Sequence, residues 1–411
     1  MTIAARPGLQ VALYSHDAMG LGHLRRNLAI ARALVESPLR ASVLILSGVR
    51  EAGALRLPER TDCLALPALY KAADGSYRSR ALPLPLRDLI RLRSQAIRGA
   101  LEAFAPQVLV VDRNPLGLCG ELAPALRSLA MRGGTRCVLG LRDVLDEPAV
   151  VEREWRAARA AAAVRAFFDA IWVYGDPAVY DPLRGVPAAR SVADLVSFTG
   201  YLGPQWPAPD AACQGVQRAQ LGLPDGRLLL CLLGGGQDGL PLAWAFANAQ
   251  LPDDAVGVIV TGPFMPERAR RRLAVFARSR PRLHVFEFVR DIETLLHGAD
   301  RIVAMGGYNT VCETLAARKP VLLVPRTRPR REQWLRAERL RELGLVDVVA
   351  PRDLAPSALS DWLEAERIAP DVSGVDLGGL SRIPELLAEV LGAESEVAAR
   401  FGAPASKQAI A

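Results

Sequence analysis

The chain has 411 residues, half of them apolar, which is enough to fill the cores of two or three domains. It contains no run of eighteen apolar residues and no signal-peptide segment at its start, so we expect a cytoplasmic protein without a spanning helix. The net charge of +7 comes from arginines interspersed with carboxylates, without the clustered aromatic residues of nucleic-acid readers, so no nucleic-acid partner is predicted.

The first half of the chain alternates apolar strands with helical segments. A strand beginning at Val11 leads through a glycine turn into a helix that ends at about Val35, and the strand SVLILSG follows. Two later strands end at Asp112 and Asp143, whose side chains we expect at the carboxyl edge of a parallel sheet, facing a cleft. The stretch KAADGSYRSR, residues 71–80, is predicted as a mobile loop near that cleft.

The second half repeats the alternation after a Gly- and Pro-rich linker. Its predicted strands are RLLLCLLGGG, AVGVIVTGP, LHVFEFV, RIVAMGG and PVLLVP. The pattern predicts an α/β protein with two facing Rossmann-like, doubly wound domains and an interdomain cleft. We place the N-terminal domain at 1–203, the C-terminal domain at 204–392 and a flexible tail at 393–411.

A protein-bound metal ion is not predicted. The six cysteines are scattered without a CxxC pair, and the four histidines are not at ligand spacing from cysteines or carboxylates. The chain also has no Asp-x-Asp triplet, the motif with which many metal-dependent sugar transferases hold their cation. We therefore interpret the cysteines as buried free thiols.

The glycine motifs of the second half resemble those of the MurG-like glycosyltransferases, which are of the family 28 type and have the GT-B fold. The first motif follows a strand and consists of Gly234, Gly235, Gly236 and Gln237. The second matches a Gly-Ala-x-Thr-x-x-Glu pattern, and a third begins the helix REQWLRAERL. The second motif consists of Gly306, Gly307, Asn309, Thr310 and Glu313, and the third contains Gln333.

The resemblance, which covers most of residues 205–345, implies a nucleotide-sugar donor bound by the second half. Glycine N–H groups and a helix N-terminus suit a diphosphate. By resemblance Glu313 accepts hydrogen bonds from the ribose, while Phe288 and Val289 lie beside the base. A UDP-linked sugar is implied as co-substrate, with no further cofactor, although no residue fixes the base as uracil.

Three departures from the family pattern bear on the donor. Gly236 stands where the family has a serine, and Asp238 adds a negative charge near the diphosphate. Glu332 replaces a polar residue that precedes Gln333 in the family. The loop PRTRPRREQWLR could compensate with its arginines or could be an exposed, disordered loop. The arginines concerned are Arg326, Arg328, Arg330 and Arg331.

In the first half, the turn formed by Gly20, Gly22 and His23 is similar to the family's glycine-rich loop ending in histidine. We predict that His23 accepts a proton from the acceptor hydroxyl, the alternative being a helix-capping or phosphate-contacting histidine. His16 and Asp17 lie at the same strand end. Each of them would orient His23, contact the sugar or have a structural role. Of the two, Asp17 is the second catalytic candidate after His23.

The motifs predict a metal-independent, inverting glycosyltransferase with an unknown hydroxyl acceptor. A nucleotide-sugar hydrolase or epimerase, or a non-catalytic nucleotide-sugar-binding protein, would have the same motifs. A nicotinamide-dependent oxidoreductase is disfavoured because Arg25 occupies the third glycine position of GxGxxG. Basic charge and the resemblance imply weak peripheral contact with the inner face of a membrane, and no obligate protein partner is inferred.

Overall fold

The computed structural model describes residues 8–16, 21–49, 56–71, 76–204 and 211–392. Two residues predicted for the site, Asp17 and Gly20, lie outside these ranges, as does the predicted tail 393–411.

The first sheet comprises, within the described ranges, seven parallel strands, and a separate two-stranded antiparallel hairpin lies beside it. Its strands and those of the hairpin are, in chain order, β1 (Gln10–Ser15), β2 (Ser42–Ser47), β3 (Thr61–Ala65), β4 (Leu69–Lys71), β5 (Tyr77–Ser79), β6 (Val108–Asp112), β7 (Arg136–Arg142), β8 (Ala170–Tyr174) and β9 (Val196–Phe198). The sheet order is β3-β2-β1-β6-β7-β8-β9, and β4 pairs with β5. Strands β6 and β8 are buried throughout, as expected of apolar strands with helices on both faces.

The second sheet is also parallel and has, in the described chain, six strands. They are β10 (Arg227–Leu232), β11 (Ala255–Val260), β12 (Leu283–Phe286), β13 (Arg301–Ala304), β14 (Val321–Leu323) and β15 (Asp347–Val348). Their order is β12-β11-β10-β13-β14-β15. In both sheets the order reverses beside the first strand, between β1 and β6 and between β10 and β13. Such reversal points open a crevice at the carboxyl ends of the strands.

Helices connect the strands and cover the sheets. They are α1 (Gly22–Glu36), α2 (Leu86–Phe104), α3 (Ala123–Arg132), α4 (Pro148–Ala157), α5 (Ala160–Phe167), α6 (Ala211–Gln220), α7 (Leu240–Asn248), α8 (Glu267–Arg278), α9 (Ile292–Gly298), α10 (Tyr308–Ala317), α11 (Glu332–Glu342), α12 (Pro356–Glu364) and α13 (Gly379–Val390). None of the helices in the part of the chain that the structure describes is long and apolar enough to cross a bilayer.

The last described helix returns to the first domain. Helix α13 packs against α1, and its first residue donates a backbone hydrogen bond of 3.0 Å to the carbonyl of Tyr201. The Tyr201 N–H in turn donates to the Asp376 carbonyl at 2.7 Å, and Arg382 donates to the Thr199 carbonyl at 2.9 Å. The chain therefore crosses between the domains twice, once near residue 204 and once near residue 376.

The predicted fold class is confirmed, since both halves form doubly wound parallel sheets. The domain limits at 203 and 392 stay predictions, and α13 packs on the domain opposite the one to which we assigned it. The prediction of a loop over residues 71–80 was wrong for its last part, because Tyr77–Ser79 form β5. The register with β4 places these residues in a hairpin whose residues 72–75 lie outside the described ranges.

Candidate active site

A cleft of about 2430 Å³ lies between the two domains. Both domains contribute to its walls, since the carboxyl ends of their central strands lead into it. Most of the residues predicted from sequence line this cleft. They are Gly22, His23, Gly234, Gly235, Gln237, Phe288, Val289, Gly307, Asn309, Thr310, Glu313 and Gln333.

His23 is held by a carboxylate at the end of a neighbouring strand. Its Nδ1 lies 2.8 Å from Oδ2 of Asp112, the last residue of β6. Asp112 is 1% exposed and also accepts a hydrogen bond from the buried guanidinium of Arg26. Burial disfavours the charged carboxylate, but Arg26 and His23 outweigh it and hold the pKa of Asp112 well below its usual range.

The ionised state of Asp112 determines the tautomer of His23. A carboxylate only accepts hydrogen bonds, so we assign the proton to Nδ1 of His23 in the 2.8 Å contact; Nη2 of Arg26, which lies 3.0 Å from the same Nδ1, then donates to Oδ2 of Asp112. The other ring nitrogen, Nε2, then has a free lone pair in a residue that lines the cleft. This arrangement can accept a proton from a hydroxyl in the cleft.

His16 packs beside this pair, with its ring centroid 5.2 Å from that of His23. Burial, and then the nearby His23 and Arg113, lower the pKa of His16 well below its ordinary value. His16 is therefore a neutral neighbour of His23, and Asp112 is the residue that orients it. The sequence predicted Asp112 at the cleft but not its pairing with His23, because the two residues are 89 positions apart.

Arg26 joins the two domains behind His23. Its guanidinium carbon lies 5.5 Å from the ring centroids of both Tyr174 in the first domain and Tyr308 in the second. The Tyr308 hydroxyl accepts a hydrogen bond of 3.1 Å from the Leu202 N–H. These contacts fix the floor of the cleft where the domains meet.

The loop after β10 presents backbone N–H groups to the cleft. Gly234 has φ of +60° and Gly236 has φ of +88°, values that glycine adopts without strain. A Cβ on Gly236 would lie 2.2 Å from the Thr261 carbonyl oxygen, which explains the departure from serine there. The Gly236 N–H donates within the turn to the Leu233 carbonyl at 3.1 Å. Among the described residues, no acceptor pairs with the N–H groups of Gly234 and Gly235.

Helix α10 points its N-terminus into the same space. Gly307 is its N-cap and makes no side-chain capping hydrogen bond, so the first N–H groups of the helix remain available to an anion. Thr310 approaches the preceding loop, with its hydroxyl 3.7 Å from the Cβ position of Gly234. Asn309 donates through Nδ2 to the Gly22 carbonyl of the first domain at 3.0 Å. The predicted diphosphate loops therefore converge, and one of them contacts α1.

Glu313 already has a partner from across the cleft. Arg25 of α1 donates to its Oε1, so the residue predicted to hold the ribose is ion-paired in this structure. Burial raises the pKa of Glu313, and Arg25 counteracts that rise. A ribose that bonds to Glu313 has to share the carboxylate with Arg25 or displace it.

Two residues predicted for the donor site have supporting roles. Gln333 accepts the Arg326 N–H at 3.2 Å, which ties the arginine-rich loop to α11. Gly306 does not line the cleft, and its carbonyl accepts a hydrogen bond of 2.9 Å from Arg336. Arg336 also makes two hydrogen bonds, of 2.6 and 2.7 Å, to Asp143 of the first domain, and both side chains are fully buried. This ion pair is a fully buried contact between the domains.

Phe288 and Val289 occupy different positions relative to the cleft surface. Val289 is 5% exposed and packs into the core, whereas Phe288 is 69% exposed, which is unusual for an aromatic residue. Phe288 thus offers an open apolar face at the cleft edge, suitable for stacking a base.

The arginine-rich loop before α11 is ordered by carboxylates. Arg326 pairs with Asp238 and with Glu332, each at 2.9 Å. Arg330 bonds Asp146 and Glu154 of the first domain. Arg331 pairs with Glu147, also of the first domain. Of the two alternatives for this loop, the exposed and disordered one disagrees with these contacts, and compensation of the donor charge stays a prediction.

Two arginines that the sequence analysis did not single out also line the cleft. Arg113 follows Asp112 and has φ of +70°, and Arg142 is the last residue of β7. Their adjacency to the strand-end residues Asp112 and Asp143 was the signal available in the sequence. The sequence pattern around each residue did not predict that the guanidiniums of Arg113 and Arg142 would both line the cleft.

Comparison with known proteins agrees with this architecture. Residues 247–368 match the family described as Glycosyltransferase family 28 C-terminal domain. A Mycobacterium tuberculosis protein is 28% identical over 396 residues, covering 93% of this chain and 84% of that protein. Its name is UDP-N-acetylglucosamine–N-acetylmuramyl-(pentapeptide) pyrophosphoryl-undecaprenol N-acetylglucosamine transferase. A Glaesserella parasuis protein of the same name is 35% identical over 78 residues, which span 19% of this chain and 22% of that protein.

Solved structures share the overall fold. MurG of Acinetobacter baumannii superposes with a TM-score of 0.52 at 14% identity, covering 94% of this chain and 99% of that chain. A putative UDP-N-acetylglucosamine 2-epimerase from Listeria monocytogenes superposes with a TM-score of 0.56 at 12% identity, covering 96% and 98%. The two facing sheets are thus those of the GT-B fold. Residues 247–368 thus match the family 28 C-terminal domain, and the chain as a whole is similar to the MurG-like glycosyltransferases.

Proposed function

We propose that this protein transfers a sugar from a nucleoside diphosphate sugar, with UDP as the nucleotide, to a hydroxyl group of an acceptor. The observation that carries the proposal is the placement of the His23 and Asp112 pair opposite the free N–H groups of Gly234, Gly235 and α10. A proton acceptor and an anion-binding surface thus face each other across one cleft. Direct displacement at a sugar carbon is accelerated by such a pairing, because the base activates the acceptor hydroxyl and the N–H groups stabilise the leaving diphosphate.

The proposed mechanism is a single displacement with inversion and without a protein-bound metal ion. Nε2 of His23 takes the proton of the acceptor hydroxyl while the acceptor oxygen attacks the anomeric carbon. The bond from that carbon to the diphosphate oxygen breaks, and the nucleoside diphosphate leaves with the electron pair. Glycine N–H groups and the α10 N-terminus stabilise its charge, and Asp112 stabilises the imidazolium that forms.

The relatives support a UDP-linked donor, because the Mycobacterium tuberculosis protein is named for transfer from UDP-N-acetylglucosamine. Glu313 is the proposed acceptor of ribose hydroxyl hydrogen bonds, and the exposed ring of Phe288 is the proposed platform for the base. Gly22 and Gln333 are assigned to the positioning of these elements, since the first begins α1 and the second holds the Arg326 backbone.

A thermal-shift screen against UDP, GDP, dTDP and ADP sugars tests the donor assignment. We expect stabilisation by UDP sugars, followed by nucleotide release that depends on an added acceptor. Nucleotide release in water alone would identify a hydrolase. Absence of stabilisation by every nucleotide would contradict the donor site.

An epimerase is the second candidate, supported by the fold shared with the putative Listeria monocytogenes 2-epimerase. In that reaction the sugar itself is altered and no acceptor is consumed. Incubation with UDP-N-acetylglucosamine and separation of the products distinguishes the two, since epimerisation yields a second UDP-hexosamine without an acceptor. Binding without any turnover would indicate a nucleotide-sugar-binding protein.

We also propose weak peripheral membrane contact through the segment before and within α2. Leu82, Leu84 and Leu92 are each at least 40% exposed, and Arg87 and Arg91 are exposed beside them. Apolar side chains with flanking arginines suit an anionic lipid surface. We expect sedimentation with phosphatidylglycerol vesicles, and weaker sedimentation with phosphatidylcholine vesicles or of a Leu82→Ser, Leu84→Ser variant. Equal binding to both lipids would contradict it.

A further inference from the structure

Two arginines that line the cleft, Arg113 and Arg142, have no carboxylate within hydrogen-bond distance among the residues that the structure describes. Arg142 is 14% exposed, its Nε has no hydrogen-bond partner, and its nearest carboxylate is Glu332 at 3.9 Å. Glu332 is already engaged at 2.9 Å by Arg326. In the described ranges, no carboxylate lies within 4.0 Å of the Arg113 guanidinium.

The other carboxylates around these arginines are committed elsewhere. Asp112 bonds Arg26 and His23, and Asp143 is held by two hydrogen bonds from Arg336. On the outer side, Glu154 bonds Arg330. Burial and then the neighbouring Arg113 lower the pKa of Arg142 to about 9, and burial and then Arg330 lower the pKa of Arg113. Guanidiniums stay protonated in proteins at neutral pH, so both side chains carry a positive charge. Two largely buried guanidiniums that share one carboxylate, itself engaged by Arg326, leave positive charge that a ligand anion can offset.

The two arginines lie at neighbouring strand ends of the first domain, since β6 pairs with β7 and the Arg113 N–H donates to the Gly140 carbonyl at 2.8 Å. Arg113 is adjacent in sequence to the carboxylate that holds His23, and it lies close enough to His16 to affect its titration. Arg142 lies beside Glu332, which connects through Arg326 to Asp238 of the loop after β10. Arg113 therefore follows the carboxylate that holds His23, and Arg142 is linked by ion pairs to the loop after β10, and both line the cleft.

We propose that Arg113 and Arg142 form an anion-binding subsite for a negatively charged group carried by a substrate outside the donor diphosphate. This inference rests on the proposed function. The shared chemistry is an anionic oxygen group, which guanidiniums bind with paired, charge-assisted hydrogen bonds. Its source is either a carboxylate on the transferred sugar or a phosphate on the acceptor.

Calorimetry separates these two sources. Titration with UDP-glucuronic acid and with UDP-glucose tests the sugar as the source. Titration of the UDP-saturated protein with inorganic pyrophosphate tests the acceptor as the source. We expect one of two results: tighter binding of the acidic sugar nucleotide, or binding of pyrophosphate with UDP already in place.

Variants then assign the binding to the pair. Arg113→Met and Arg142→Met are expected to weaken the anion-dependent binding roughly 10- to 100-fold, the range for one lost charge-assisted hydrogen-bond pair. Arg142→Lys keeps the charge but not the planar fork, and is expected to fall between parent and Arg142→Met. Arg352→Met, at a side chain that is 87% exposed, is the matched control and is expected to bind as the parent does.

Three outcomes would overturn the subsite. The first is that the parent neither prefers UDP-glucuronic acid nor binds pyrophosphate in the presence of UDP. The second is unchanged anion binding in both methionine variants, with unaltered thermal unfolding midpoints as the folding check. The third is that the methionine variants lose UDP affinity as much as they lose anion-dependent binding, which would assign the arginines to nucleotide binding. Failure of the parent to bind UDP contradicts the proposed function instead, and pyrophosphate binding by parent and variants still decides the subsite.

Discussion

Nδ1 of His23 lies 2.8 Å from Oδ2 of Asp112, although the two residues are 89 positions apart. The first follows β1 on α1 and the second ends β6, and these two strands are neighbours in the sheet. The contact arises because the strand order reverses between them, which brings both carboxyl ends to the same crevice. The relationship gives His23 a defined tautomer and makes it the side chain best placed to accept a proton.

Substitution of this pair is expected to affect turnover and not nucleotide binding. His23→Ala should lower kcat about 10²- to 10⁴-fold, the usual contribution of a general base. Asp112→Asn should also lower kcat, because an amide can donate to Nδ1 and so leave the proton on Nε2. Nucleotide affinity by calorimetry should match the parent. His284→Gln, outside the cleft lining, is the control, and unchanged kcat in His23→Ala would remove the assigned role.

The Arg25 and Glu313 contact predicts opposite effects of its two members on nucleotide affinity. Glu313→Ala should weaken UDP binding, because it removes the acceptor proposed for the ribose hydroxyls. Arg25→Ala should strengthen UDP binding by up to about 5-fold, since an exposed ion pair competing for Glu313 contributes about 1 kcal/mol at most. Equilibrium titration of both variants measures this. Weaker binding in Arg25→Ala would instead indicate that Arg25 contacts the nucleotide.

The Asp143 and Arg336 pair is expected to dominate the stability of the domain contact. Removal of one partner leaves a buried charge alone, so Asp143→Asn and Arg336→Met should each lower the free energy of unfolding by about 3–5 kcal/mol. Replacement of both by apolar residues should recover part of that loss. Urea unfolding measures the effect, with Arg227→Met in the exposed pair with Asp254 as control, where less than about 1 kcal/mol is expected. Equal losses at both sites would contradict the argument.

Glu332 predicts a specific loss of stability in acid. Burial alone would raise the pKa of Glu332, but Arg142 and Arg326 lower it to about 2, from an ordinary value of 4.5. Between these values the unfolded chain binds a proton that the folded chain does not, so stability falls as the pH falls from about 4.5 to about 2.

The corresponding variant is Glu332→Gln. It should be less stable than the parent at pH 7 by about 3 kcal/mol, and the difference should shrink as the pH falls through this window. Urea unfolding at pH 7, 4 and 3 gives the comparison. A difference that stays constant with pH would show that the charge of Glu332 is not responsible.

The sequence by itself determined the two α/β halves, the glycine turns and most of the residues that line the cleft. These features depend on local patterns, namely apolar strands, helix periodicity and glycines at turns, which act over a few residues. Asp112 was expected at the cleft because a polar residue ends a buried strand, and the donor loops followed from the resemblance.

Only the tertiary structure decided which side chains pair. It joined His23 to Asp112, Arg25 to Glu313 and Arg336 to Asp143, and it returned α13 to the first domain. Each pairing links segments far apart in sequence, so it depends on strand order and on how the two domains face each other. It also brought Arg113 and Arg142 to neighbouring strand ends with only Glu332, shared with Arg326, as a described carboxylate within 4.0 Å of either, because charge balance in a cleft is set by every element that reaches it and not by neighbours along the chain.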